Sequence, residues 1–406
     1  MKVLVISYMF PCKRHPISGI FIANLLKELA TKLDELVVIT PRPYIPKFLL
    51  KFKKDWDKWF IDPLFSKEGS IEIIRPYVLN LKGVSYDGVN GILTQYSLLH
   101  LVKNLSIKKQ FDLILGYNMI PEGITVVRLA NKLNLPVAFW AIGSDVNAYS
   151  HHNKINYFLS KKSIENSDLV ITESKDLEMK VRSFTQKSIN VKTFYKGIHI
   201  EAFQNLPERH IIINKLSLDP QKKYLLFVGR ISRDKGIYDI AAAFANIAGK
   251  YPHCDLIMIG EDIEKENIMM TLRENGLQDR VQFRGIVSHR DVAHYMKIAE
   301  LLVLPTWAEG LPNVVMEAMA IGLPVVASNV DGIPEVLQNE VTGLSVPARN
   351  VDKLTDAITR MLDDSALRET CTANAKKLVY ENFDVKKNVN LLYDMLVEIK
   401  NNHSPH

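Results

Sequence analysis

Two glutamates, Glu309 and Glu317, and two cations, Arg230 and Lys235, are the residues of this 406-residue sequence whose types and spacing best suit chemistry. The glutamates bracket the stretch Glu309-Gly310-Leu311-Pro312-Asn313-Val314-Val315-Met316-Glu317. Ahead of it, the apolar run Leu301 to Leu304 reads as a buried strand ending at Pro305. A short helix can start at Pro312, and Gly322 and Pro324 stop it. Val314, Glu317, Ala318 and Ile321 then share one helix face, so Glu317 sits amid apolar residues. An ionised carboxylate there is costly unless it is paired or hydrogen-bonded. Glu309 lies at the carboxyl end of a strand, where open α/β sheets bind ligands. Spacing alone leaves two readings open. Either Glu317 pairs with a nearby Arg or Lys and Glu309 is solvated, or both carboxylates accept hydrogen bonds from sugar hydroxyls.

Arg230 and Lys235 fall in Gly229-Arg230-Ile231-Ser232-Arg233-Asp234-Lys235-Gly236, directly after a predicted strand, Tyr224 to Val228. Two cations at a strand end beside a helix N-terminus suit a nucleotide diphosphate, with the arginine as a bidentate fork. A pair of surface charges is the plain alternative.

Glu-Gly-Leu-Pro-Asn followed by Glu-Ala-Met-Ala-x-Gly-x-Pro-Val-Val-Ala-Ser resembles the E-x7-E region of family 4 retaining glycosyltransferases of the GT-B fold. Gly-Arg-x4-Lys-Gly is similar to the diphosphate motif of that family. The resemblance implies that Glu309 holds a hydroxyl of the donor sugar, with Gly310, Leu311, Pro312 and Asn313 in the same donor loop. It assigns the nucleotide ribose to Glu317 and the diphosphate to Arg230 and Lys235. The loop after the predicted strand Val281 to Val287 would bracket the base through Gly285 and Ile286. Near the N-terminus, the loop closing at Ser18-Gly19 would approach the donor, so Gly19 is a donor-binding candidate. Gly143-Ser144-Asp145 looks like the His-Gly-x-Asp element, but Ile142 stands where the histidine is expected. From its own residue type, Asp145 either orients an acceptor or caps a helix. Lys196-Gly197-Ile198 partly matches the interdomain element Asn-Gly-Val-Asp.

Strands and helices alternate through both halves. Predicted strands include Val3 to Ser7, Leu36 to Thr40, Ile71 to Arg75, Phe111 to Leu115 and Pro136 to Trp140. The first helix is expected to turn Phe21, Leu25, Leu26 and Leu29 inward. This alternation argues for an α/β fold of two doubly wound Rossmann-like domains facing a cleft, which the resemblance names GT-B. The expected boundaries are 1–200 for an acceptor-binding domain, 201–383 for a nucleotide-sugar-binding domain and 384–406 for a C-terminal helix crossing back to the first domain.

Length points to two domains, and 47% hydrophobic with 24% charged residues describes a folded globular chain. A net charge of +6 suits an anionic ligand or membrane surface and falls short of a nucleic-acid-binding signature. Three dispersed cysteines suggest a reduced, cytoplasmic setting and spell no zinc site. As a helix, Lys47 to Phe60 gathers Phe48, Phe52, Trp56 and Trp59 beside Lys47, Lys51, Lys54 and Lys58. That pattern suits either peripheral contact with the inner face of the plasma membrane or packing on its own domain. Asp55-Trp56-Asp57 inside it reads as chance rather than a metal motif.

Together with the resemblance, these features imply metal-independent transfer of a sugar, retaining its configuration. The donor would be a nucleotide diphosphate sugar, with UDP as the leading candidate. The acceptor would be a lipid-linked saccharide in surface-polysaccharide assembly. A UDP-sugar 2-epimerase of the same architecture and a non-catalytic nucleotide-sugar-binding subunit are the alternatives.

Overall fold

Val3-Leu4-Val5-Ile6 is continuously apolar because the strand it forms is wholly buried, as the inner strands of parallel sheets require. The computed structural model describes residues 1–13, 18–44, 62–80 and 88–403. The chain divides into two compact units, Met1–Lys196 with Lys386–His406, and Gly197–Val385.

The strands of the first unit are β1 (Lys2–Ile6), β2 (Glu35–Ile39), β3 (Arg42–Pro43), β4 (Phe65–Glu68), β5 (Ile71–Ile74), β6 (Tyr77–Val78), β7 (Leu113–Tyr117), β8 (Val137–Ala141), β9 (Leu169–Thr172) and β10 (Val191–Thr193). Among the described residues, eight of them form one sheet in the order β10-β9-β8-β7-β1-β2-β5-β4. Only β4 runs antiparallel to its neighbour in that sheet. The short strands β3, β4 and β6 were not legible from periodicity, being two to four residues long. Helix Ile20–Ala30 buries Leu25, Leu26 and Leu29. Phe21 departs from expectation: it is 45% exposed, and the Lys196 ammonium stands 5.6 Å from its ring centroid.

The second unit contains β11 (Lys223–Val228), β12 (Cys254–Ile259), β13 (Val281–Phe283), β14 (Leu301–Leu304), β15 (Val325–Ser328) and β16 (Leu344–Val346). These pair in the order β13-β12-β11-β14-β15-β16, all parallel. In both sheets the order reverses beside the earliest strand, β1 or β11, creating the switch point at which doubly wound sheets bind ligands. β13 is shorter than the predicted Val281–Val287: it ends at Phe283, and Gly285 turns the chain with φ 62°.

The last helix, Val385–Asn402, returns to the first unit. Lys400 meets Asp112 at 2.7 Å, His403 meets Asp168 at 3.1 Å, and Asn388 Nδ2 donates to the Tyr195 carbonyl at 2.8 Å. These contacts span nearly the whole helix, so a segment distant in sequence completes the first unit. No helix among the described residues is long and apolar enough to cross a membrane. The Lys47 to Phe60 segment, with Asp55-Trp56-Asp57, lies outside the described residues.

Candidate active site

Two strand-end loops of the second unit build the donor candidate. The first leaves β11 and enters helix Ile237–Ala248 through Gly236. Gly236 has φ 70°, and a Cβ there would lie 1.9 Å from the Pro305 carbonyl oxygen. Only glycine fits, so the β11 loop can lie directly on the loop that follows β14. Hydrogen bonds lock the two loops together. The Trp307 N–H donates to the Asp234 carbonyl at 2.9 Å, and its indole N–H donates to Asp239 at 2.8 Å. The Arg349 guanidinium covers the outer face of that indole at 4.2 Å.

This stitching brings Lys235 to Glu309: the ammonium donates to Glu309 Oε2 and, at 3.5 Å, to the Ala308 carbonyl. The Glu309 N–H donates to Asp331 Oδ2 at 3.0 Å, which anchors the backbone at that glutamate. Asp331, which the sequence did not single out, stands just before a short 3-10 turn, Ile333–Glu335. Arg230 stands apart, 55% exposed, with its guanidinium 3.1 Å from Asp234 one helical turn on. The site therefore offers one cation held in a half-buried ion pair and one in a pair exposed to water. A polyanion would be met by both, through the charge-assisted hydrogen bonds that arginine and lysine make best.

Helix Asn313–Ile321 follows, with Pro312 as its cap and Gly322 ending it at φ 87°. Val315 to Ala320 are all buried, while Val314 and Ile321 are only partly so. The expected single apolar face is thus corrected: the helix is covered nearly all round, by neighbours that include helix Ser365–Asn382. Glu317 is 6% exposed and hydrogen-bonded to His289 Nε2 at 2.9 Å. Its partner within the fold is an imidazole, where the ion-pair reading had named an Arg or Lys. That hydrogen bond raises His289 above its ordinary pKa, against the opposing effect of burial. His289 opens helix His289–Ile298 immediately after the loop carrying Gly285 and Ile286; Ile286 is 59% exposed. Sequence reasoning missed His289 because nothing local ties it to a residue 28 positions later.

The first unit gathers a separate polar cluster at the ends of β1, β7 and β8. Asp145 is 1% exposed and accepts backbone N–H groups from Met119 (2.6 Å), Ile142 (3.0 Å), Gly143 (3.0 Å) and Val146 (2.9 Å). Burial still pushes its pKa up to about 6 against those four donors. Its carboxylate thus joins the Met119 turn to the β8 loop, and it is not the N-cap of the short helix Ser144–Asn147, a place taken by Gly143. Glu122 is fully buried, and burial pushes its pKa up to about 8. Oε1 accepts from the Tyr8 N–H at 2.9 Å and from Asn118 Nδ2 at 3.3 Å, while Oε2 has no partner among the described residues. Tyr117 donates to Glu173 at 3.1 Å, and Lys196 meets the same Glu173 oxygen at 2.9 Å. Gly19 precedes helix Ile20–Ala30 with φ 69°, and a Cβ there would strike the Met9 carbonyl oxygen at 2.2 Å. Glu122 stands in the segment Pro121-Glu122-Gly123 after β7 and was not singled out from the sequence. Its burial, which makes it notable, has no signature in the sequence.

The family model described as "Glycosyl transferases group 1" matches residues 208–378, which contain every donor-site residue named in the second unit. One curated relative is TuaC of Bacillus subtilis (strain 168), a glycosyltransferase whose name ties it provisionally to teichuronic acid biosynthesis. It is 25% identical, with 97% of each chain covered. Another is the uncharacterized glycosyltransferase MJ1607 of Methanocaldococcus jannaschii, 32% identical over 64% of this chain and 68% of the relative. Among solved structures, a sucrose-phosphate synthase from Thermosynechococcus elongatus superposes with a TM-score of 0.79 at 23% identity, covering 98% and 99% of the two chains. Anabaena HepE in complex with UDP-glucose gives a TM-score of 0.72 at 18% identity, covering 98% and 100%. The likeness to both structures is one of fold, two Rossmann-like halves in the GT-B arrangement.

Proposed function

Because the chain belongs to the group 1 glycosyl transferases, the family 4 class of the GT-B fold, we propose that its Gly197–Val385 unit binds a nucleotide diphosphate sugar. A transferase is neither an isomerase nor a passive binding subunit, which sets aside both alternatives. Arg230 and Lys235 neutralise the diphosphate, on which negative charge grows as the sugar departs. Electrostatic stabilisation of this kind commonly contributes more to catalysis than any other single effect. Glu309 holds a hydroxyl of the donor sugar, Glu317 the ribose, and Gly285 with Ile286 brackets the base. Gly310 to Asn313 shape the loop between the two glutamates.

One observation carries this reading: Lys235 and Glu309 meet at the carboxyl ends of adjacent strands β11 and β14, so phosphate and sugar contacts sit side by side. The cations supply the charge that a metal would otherwise bring, so transfer without a metal is part of the proposal, as is retention of configuration. UDP is favoured as the nucleotide because a neighbour of the same fold is solved with UDP-glucose. The first unit is assigned the acceptor, a saccharide on a lipid carrier in surface-polysaccharide assembly, in keeping with TuaC's name.

The test is a thermal-shift panel of nucleotide sugars on the wild type, Arg230→Ala and Glu309→Ala. Stabilisation of the wild type, diminished in both variants, supports the donor site. A wild type that no nucleotide sugar stabilises, or an Arg230→Ala variant that responds as strongly, would refute it. With the best donor, turnover in the presence of EDTA and the anomeric proton coupling of the product test the metal-independent and retaining parts.

A further inference from the structure

Glu317 is a buried carboxylate whose partner reaches solvent. His289 is 50% exposed, whereas Glu317 is 6% exposed, and the two share a 2.9 Å contact between Nε2 and Oε1. Phe203 meets the imidazole edge-on, with centroids 5.7 Å apart and planes at 78°. The ring is thus wedged by an aromatic while one nitrogen grips the carboxylate. Oε2 of Glu317 accepts no hydrogen bond from any described residue. A carboxylate with one oxygen held and the other uncommitted is pre-oriented to accept from an incoming hydroxyl.

We propose that His289 is the positioning residue for Glu317, holding Oε1 so that Oε2 is presented to the nucleotide ribose, and that its charge state tunes nucleotide affinity. This rests on the donor-site reading above. The loop that carries Gly285 and Ile286 ends at Ser288, so His289 also links the segment assigned to the base with the residue assigned to the ribose.

The elements packed against the helix of His289 carry the following charged groups. Helix Asn313–Ile321 presents Glu317 itself. The turn Ile200–Phe203 carries Glu201, 3.5 Å from His199. Helix Arg209–Leu216 brings Arg209, His210 and Lys215, the last paired with Asp291 at 2.7 Å. From β11 comes Lys223, 4.0 Å from Glu300. On its own helix stand Arg290, Asp291, His294 and Lys297. Of these, Glu317 is the charge that raises His289. The imidazole therefore stays protonated to higher pH than a free one, and the Glu317 bond is charge-assisted below that raised value. As pH rises through it, the bond becomes a neutral one, Glu317 is held less firmly, and affinity falls.

The experiment is calorimetric titration of UDP-glucose, GDP-mannose and ADP-glucose into wild type, His289→Gln, His289→Ala and Glu317→Ala, between about pH 6 and about pH 9. For the tightest ligand, wild-type Kd is expected to rise about tenfold across that range. His289→Gln, which keeps a donor at the Nε2 position without a titrating charge, should bind within about threefold of wild type at high pH and show a flat profile. His289→Ala should be flat and weaker by about tenfold at the low end. Wild-type affinity and slope in His289→Ala overturn the proposal. If Glu317→Ala loses binding while both His289 variants keep the wild-type profile, the donor reading stands and this inference alone falls. A wild type that binds none of the three sugars removes both.

Discussion

Lys235 and Glu309, 74 positions apart in the chain, are joined through Nζ and Oε2 in a pair that is 15% and 26% exposed. The pair depends on Gly236, which lets the β11 loop close to within contact of Pro305. A lysine held by a glutamate keeps one position, and under the proposed function that position serves a phosphate and its partner a sugar hydroxyl. Lys235→Ala and Glu309→Ala are each expected to lower sugar transfer by about a hundredfold or more. The double variant should lose less than the sum, with a coupling of about 0.5–3 kcal/mol. Steady-state kinetics over the four proteins measures this; strict additivity would show that the two residues act independently.

Arg230 makes the contrasting case. Its ion pair with Asp234 is exposed on both sides, and such pairs contribute little to stability. Arg230→Ala should leave the unfolding free energy within about 0.5 kcal/mol of wild type while weakening nucleotide diphosphate binding by roughly tenfold or more. Denaturant melts and calorimetry on the same sample separate the two effects. A destabilised variant with unaltered affinity would assign Arg230 to the fold instead.

Asp145 belongs to the fold of the first unit. Removing its carboxylate takes the acceptor from the Met119, Ile142 and Gly143 N–H groups, at about 1–3 kcal/mol for each one left buried without an acceptor, while the Val146 N–H keeps the Gly143 carbonyl at 3.0 Å. Asp145→Ala should therefore cost at least ~3 kcal/mol, and Asp145→Asn, which keeps one acceptor oxygen, distinctly less. Urea denaturation checks both. An alanine variant as stable as wild type would mean the carboxylate is not what joins the two loops.

Glu122 gives the stability of the fold a pH dependence of definite sign. Burial raises its pKa from 4.5 to about 8, so the folded state holds a proton that the unfolded chain has released. Stability on this account is full below the unfolded value and declines as pH rises from about 4.5 to about 8. Asp145, raised from 3.8 to about 6, contributes the same sign over a lower window. Glu122→Gln should flatten the decline between pH 6 and 8 and leave the variant more stable than wild type above that range. Equal slopes for the two proteins would mean that Glu122 is not the titrating group.

Much of the architecture was legible because parallel strands buried on both faces are written as apolar runs. Leu301 to Leu304 is the strand expected, to the residue. The elements missed were those with too few residues to carry a period, such as Arg42–Pro43 and Tyr77–Val78, whose pairing is supplied by each other. Val281 to Val287 looked like one long strand, yet apolar character continues past Phe283 into a turn that only the positive φ of Gly285 reveals. Phe21 was placed inward by its period, but the ammonium above its ring gives an exposed aromatic a favourable place outside.

For the candidate site, the chain by itself determined which residue types stand at which strand ends: Arg230 and Lys235 after β11, Glu309 and Glu317 after β14. That much follows from local pattern, because the ends of strands and the starts of helices are announced by glycine, proline and the apolar period. Which groups pair is a long-range matter that no local pattern encodes. Only the tertiary structure decided that Lys235 meets Glu309, that the buried Glu317 is answered by His289, and that Glu122 and Asp145 lie in surroundings dry enough to hold protons well above the usual carboxylate range. Burial and partnership are properties of the packed chain, because they depend on which segments the folds of the two sheets bring together.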